Sequence, residues 1–223
     1  MPLFMELSLE CQGWAERAIA RLGDQQKNSR REIEIYASLS FANAHRREQP
    51  ARPLSTILDD FSRYIIAWKR CTIMKAEDVT KTLQLALTAS GCDQARVVHK
   101  PRMLSDNRPG YVSGELAKWL DEQDMTHVRG APNHPQTQGK IERWHQTLKN
   151  RVLLENYYLP GDLEAYIGRF VDYYNHQRYH ESLKNLTPAD VYFGRGQTIL
   201  MKRERIKRDT IQNRRLQHQR KAA

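Results

Sequence analysis

Leu104-Ser105-Asp106-Asn107 and His134-Pro135-Gln136-Thr137-Gln138-Gly139-Lys140-Ile141-Glu142-Arg143 are the two stretches on which the reading of this chain turns. In the first, an acid follows a short extended apolar segment and precedes Asn107 and Gly110, residues that favour a turn. A carboxylate at a strand end is fixed by the strand and opened to substrate by the loop. In the second, Glu142 stands one turn inside a helix expected over residues 138–154, directly after a polar loop over residues 132–138. A helix brought over a strand end sets two such carboxylates on one divalent ion. Two ions then clamp the attacking and leaving oxygens of a phosphodiester. Gln146 and Lys149 lie at i+4 and i+7 from Glu142 and share its helix face. An amide and a cation beside an acid suit a phosphate backbone running past a metal. The plain alternative is a solvated helix face, because the chain has 26 acids and most acids in any soluble chain are solvated.

Around these stretches the pattern is α/β. Leu54–Leu58 reads as a strand, Asp59-Asp60-Phe61-Ser62-Arg63 as a tight turn and Tyr64–Trp68 as the return strand of a hairpin. Residues 76–89 read as a helix with Val79, Leu83, Ala86 and Leu87 inward and Gly91 ending it. Residues 95–98 and 103–104 read as extended, 113–123 as a helix and 126–129 as a short strand. A helix over 163–175 follows, and another starts at Thr187-Pro188, with Thr187 as N-cap. Hairpin, helix, strand, helix, strand, helix predicts a mixed sheet with helices on both faces. Upstream, residues 3–22 read as an amphipathic helix, 32–39 as a strand or helix, and 43–53 as a basic, proline-bearing linker. The composition changes at Leu54, so the chain divides into an N-terminal segment 1–53, a core 54–200 and a basic tail 201–223 expected to be helical and exposed.

Charge gives the first hint of a partner. The chain of 223 residues carries a net +10. Residues 201–223 hold 9 basic and 2 acidic residues, so most of the excess lies in the tail. A basic balance points to a polyanion, and DNA is the expected partner. No run of 18 apolar residues exists, so no membrane span is expected. Cys11, Cys71 and Cys92 form no CxxC pair, so neither a disulfide framework nor a cysteine-rich zinc site is supported, and a reducing, cytoplasmic setting fits best. His176 and His180 have a zinc-pair spacing without the accompanying Glu of an HExxH helix. Trp68, Trp119 and Trp144 read as packing residues, with base stacking the alternative for Trp144.

The two opening stretches resemble the integrase core of retroviral integrases and insertion-sequence transposases. Asp106 and Glu142 have 35 residues between them, the spacing of that family's D,D(35)E signature. Tyr174-Asn175-His176-Gln177-Arg178-Tyr179-His180-Glu181-Ser182-Leu183 and Leu186-Thr187-Pro188-Ala189-Asp190 resemble the end of the domain in IS3-type transposases, and Asp59–Tyr64 their second-strand turn. The resemblance implies a ribonuclease-H-like fold, magnesium or manganese, nicking at element ends and strand transfer by the freed 3′ hydroxyl. It also implies metal ligation by Asp106 and Glu142, DNA contacts by Gln136, Gln146 and Lys149, and a homo-oligomer.

Two departures bear on activity. The family's first carboxylate is an Asp on the opening strand, yet Tyr36 to Pro53 contains none and its only acid is Glu48. The first strand therefore reads as replaced, as in a truncated or frameshifted copy, with Asp59 and Asp60 as substitute ligands and weak metal binding expected. Arg108-Pro109 also stands where the family has Gly after Asp-Asn, and Pro109 biases Arg108 to extended backbone. Three functions follow: an impaired DNA-integrating enzyme, a non-catalytic DNA-binding or oligomerising remnant, and a ribonuclease-H-like nuclease of another nucleic acid. The glutamine-bearing loop and the transposase-like C-terminal motif disfavour the last.

Overall fold

The computed structural model describes residues 34–42, 52–71, 73, 75–91, 101–130, 139–152 and 160–222. Five strands form one mixed sheet: β1 (Glu34–Ala42), β2 (Arg52–Asp59), β3 (Ile65–Arg70), β4 (Arg102–Ser105) and β5 (His127–Arg129). Their order is β3-β2-β1-β4-β5. β1 runs antiparallel to β2 and parallel to β4, so it is the strand that joins the hairpin half of the sheet to the parallel half. The helices are α1 (Ala76–Ser90), α2 (Pro109–Val112), α3 (Gly114–Glu122), α4 (Gly139–Val152), α5 (Pro160–His176), α6 (Pro188–Tyr192) and α7 (Gly196–Ala222).

Strand periodicity builds two cores, one on each face of the sheet. On one face Ile57, Ala67 and Met103 pack against Val79, Leu83 and Leu87 of α1 and Leu116 and Leu120 of α3. On the other, Leu54, Leu58, Ile65 and Leu104 pack against Ile141, Trp144 and Leu148 of α4 and Ile167 and Phe170 of α5. Ile65 and Ala67 face opposite sides because the ladder pairs Leu58 with Ile65 but Ile57 with Ala67, leaving Ile66 as a bulge.

The local signals hold where they are local. Gly91 caps α1 with φ 68°, a conformation that costs an L side chain and suits glycine. Ser113 accepts from Leu116 N at the start of α3. Thr187 and Asp190 form a reciprocal capping box on α6. The boundary drawn before Leu54 falls inside β2, and β1 lies within residues assigned to the N-terminal segment. The place of the first strand is thus filled: Glu34–Ala42 pairs along its length with β2, from Ile35 opposite Asp59 to Ala42 opposite Arg52. The helix expected over 3–22, the stretch 95–98 and the loop 132–138 lie outside the described residues, as does most of the linker 43–53.

Candidate active site and nucleic-acid face

Asp106 directly follows Ser105, the last residue of β4, and Leu104, two residues before it, packs in the core shared with α4 and α5. The loop that carries it is pinned to β5: Asn107 Nδ2 donates to Gly130 O at 2.9 Å, and Gly130 N donates to Ser105 O at 3.0 Å. Glu142 lies in the first turn of α4 and is exposed. α4 is oriented by Ile141, Trp144 and Leu148 on its buried side, where Ile141 shares a core with Leu104. The start of α4 therefore packs on the face of the sheet that Leu104 lines.

Arg108 changes the chemistry of this place. Its backbone N donates to Asp106 Oδ1 at 3.1 Å, and its side-chain Nε lies 3.1 Å from Oδ2. Both carboxylate oxygens are thus engaged by one residue, and Arg108 has the extended backbone expected before Pro109, with φ −66° and ψ 153°. The guanidinium also reaches toward α4. Burial, then the charges of Lys149 and Arg108, push the His145 imidazole down to about 3, so it is neutral. Both His145 ring nitrogens are buried without a hydrogen bond to any described residue. Tyr111 beneath the loop is held well above the usual phenol range, first by burial and then by Asp106.

The family's ion pair needs a carboxylate that bridges two cations. Among the described residues no three His, Cys, Asp or Glu side chains are placed to hold an ion. Continuing the β1–β4 register from Tyr36 opposite Leu104 sets Ser38 level with Asp106, so the neighbouring strand offers a serine position there. The two substitutes are otherwise engaged. Asp59 accepts from Ser62 N at 2.7 Å and from the Ser62 hydroxyl, closing the β2–β3 turn, and burial raises its pKa. Asp60 holds Lys140 Nζ at 2.6 Å. The described residues do not fit a two-ion centre. With a cation already on Asp106, Arg108→Gly is expected to tighten Mn2+ binding roughly ten-fold, the order expected for removing one half-exposed charge beside a ligand. Titration followed by Mn2+ electron paramagnetic resonance reads this, and unchanged affinity would show that Arg108 does not compete.

The α4 face is laid out as the spacing implies. Gln146 is exposed and donates to Asn150 at 2.8 Å, and Lys149 is half-exposed with no salt bridge among the described residues. Gln136 lies outside the described residues. Trp144 is 1 % exposed, stacked on Phe170 at 5.8 Å and edge-on to Tyr174 at 4.6 Å, so it is a core residue and does not stack on bases. His176 lies 3.8 Å from Asp172 and joins no metal cluster among the described residues. Sequence reasoning missed Asn175, whose amide pairs with both backbone groups of Ile65: Ile65 N donates to Oδ1 at 2.9 Å and Nδ2 donates to Ile65 O at 3.0 Å. Its place in the Tyr174–Leu183 motif was the available signal.

Two family models, both described as the integrase core domain, match residues 42–135 and 123–188. A mouse protein named IgE-binding protein is 38% identical over 87 residues, covering 39% of this chain, and the chain spans 15% of its length. The catalytic core domain of BIV integrase superposes with a TM-score of 0.54 at 19% identity, covering 75% of this chain and 97% of that one. The HTLV-2 integrase catalytic core, solved with magnesium, gives 0.53 at 16% identity, over 71% of this chain and 95% of that one. The fold is thus that of integrase catalytic cores, ribonuclease-H-like, with β1 as the strand between β2 and β4. With the two models together running over more than half the chain, and the sheet and Asp106–Glu142 spacing agreeing, the chain belongs to the integrase core domain family.

Proposed function

We propose that this chain binds DNA as an integrase-core protein of transposition, of the insertion-sequence type suggested by Tyr174–Asp190, and that it does not itself complete strand cleavage and transfer. The observation that carries this reading is the Arg108–Asp106 contact beside a first strand without aspartate. The family's divalent ions fix attacking and leaving oxygens; here the Asp106 carboxylate is held by the Arg108 guanidinium and residues 34–42 contain no aspartate. What remains is suited to binding. The Gln146–Lys149 row and the basic tail offer donors and charge to phosphates, which position a protein on DNA without reading its sequence. The relatives are consistent with an oligomer, since the HTLV-2 core is described in trimeric and dimeric forms. No helix among the described residues is long and apolar enough to cross a membrane.

The test is direct. The purified chain, incubated with magnesium or manganese and its own element ends, is expected neither to nick nor to join DNA detectably, because losing one member of a catalytic unit commonly removes most of what the unit provides. Strand transfer that is abolished by Glu142→Gln would overturn this. Asp59→Asn and Asp60→Asn would then identify the substitute ligand.

A further inference from the structure

A cleft of about 210 Å3 opens on the other side of α4, lined by Arg63 of the β2–β3 turn, Lys140 and Arg143 of α4, and Arg178, His180 and Glu181 of the segment after α5. It is smaller than the pockets of roughly 300 Å3 and more that hold drug-sized ligands. Three separate parts of the chain bring their cations here. Lys140 is neutralised by Asp60. Arg63, Arg143 and Arg178 form no salt bridge among the described residues, and Glu181 is the one carboxylate that lines the cleft.

The convergence is visible in the groups between them. The Tyr174 hydroxyl is pushed up to about 12 by burial although Arg178, Arg63 and Arg143 all pull it down. His180 is pushed down to about 4 by burial, then by Arg178 and Arg63, and its Nε2 is buried without a hydrogen bond to any described residue. Arg178 lies over the Tyr174 ring at 5.6 Å. Three guanidiniums gathered around one small cleft repel each other unless an anion joins them. The planar guanidinium fork matches phosphate oxygens better than any other side chain.

We propose that this cleft is a phosphate subsite, which holds one phosphodiester group of a DNA strand whose neighbouring phosphates lie along the Gln146–Lys149 row. It rests on the DNA-binding reading above and adds a second contact to it. The two places are joined by one helix: from Arg143 to Lys149 α4 rises roughly 9 Å, the length of about two or three nucleotide steps at ~3.4 Å each. A strand crossing α4 is therefore long enough, within a few nucleotides, to meet both. The proposal also gives a role to Arg178 and His180 in the Tyr174–Leu183 motif, which Asp106 and Glu142 do not use.

The experiment measures binding of the full chain to a fluorescent duplex of arbitrary sequence by anisotropy over a range of salt. Arg63→Gln and Arg178→Gln are each expected to bind roughly ten-fold more weakly at low salt and to lose about one unit of salt slope. Arg178→Lys, which keeps the charge, restores most of the slope. Lys149→Gln reports on the α4 row independently, and thermal melting confirms that each variant is folded. Should Arg178 variants fold poorly, Arg63→Gln alone decides. Wild-type slopes in Arg63→Gln and Arg178→Gln, with a unit lost in Lys149→Gln, would overturn the subsite and leave the DNA reading standing. A wild-type chain that does not bind the duplex would overturn both. A change of oligomeric state in sedimentation without any change in DNA binding would make the cleft a protein interface and overturn the subsite.

Discussion

Asn175→Ala is expected to destabilise the fold by about 2–4 kcal/mol, seen as a lower denaturation midpoint with an unchanged slope. The side chain is 3 % exposed and lies 110 residues from the Ile65 backbone that it serves. Its amide takes the N–H and supplies the carbonyl partner at the first residue of β3, next to the bulge at Ile66, where the ladder skips a pairing. Alanine leaves a buried donor and a buried acceptor unpaired at once, and each carries a desolvation penalty. Asn175→Asp is a sharper probe, because it keeps the acceptor for Ile65 N and cannot donate to Ile65 O. A midpoint shift equivalent to less than about 0.5 kcal/mol, the range of surface substitutions, would show that water replaces the amide.

Removing residues 201–223 is expected to weaken duplex binding by roughly 100-fold at low salt and to flatten the salt dependence by several units, since each phosphate contact contributes about 0.9. The segment carries 9 basic residues against 2 acidic ones. It is helical to Ala222 and exposed from Met201 to Lys221, so its loss deprives the sheet of no described core residue. The contacts given up are Arg203 to the carbonyls of Lys184 and Asn185 and over the Tyr179 ring. Melting temperature is accordingly expected to change little while affinity changes much. Unchanged affinity and salt slope would show that the tail is only a solvated end.

What could be read beforehand was what neighbours in sequence decide. The hairpin, the Gly91 stop and the Thr187 cap each depend on a few adjacent residues and were legible, whereas Ser113, read as the first residue of a helix, is its N-cap. β1 was half legible. Glu34–Ala42 places Ile35, Ala37, Leu39 and Phe41 at alternate positions, but a strand with neighbours on both sides is confirmed only by pairing with residues far along the chain. The spacing of Asp106 and Glu142 was legible, whereas the Arg108 grip on Asp106 was not, because the sequence shows an altered loop without showing where its guanidinium turns. The arginine cleft was the least legible of all. Arg63, Arg143 and Arg178 are scattered in the chain and meet only through the packing of α4 and α5 on the sheet.

The last helix has one further consequence. Its exposed apolar residues, Met201, Ile206, Ile211 and Leu216, recur every fifth position. At 3.6 residues per turn each is rotated about 140° from the one before, so they spiral around the rod and leave no seam for a coiled-coil partner. The 27 residues of α7 make a rod roughly 40 Å long, somewhat more than the ~34 Å repeat of a B-form duplex. On the DNA-binding reading, such a rod laid along a duplex would lengthen the protected footprint by at most about one helical repeat.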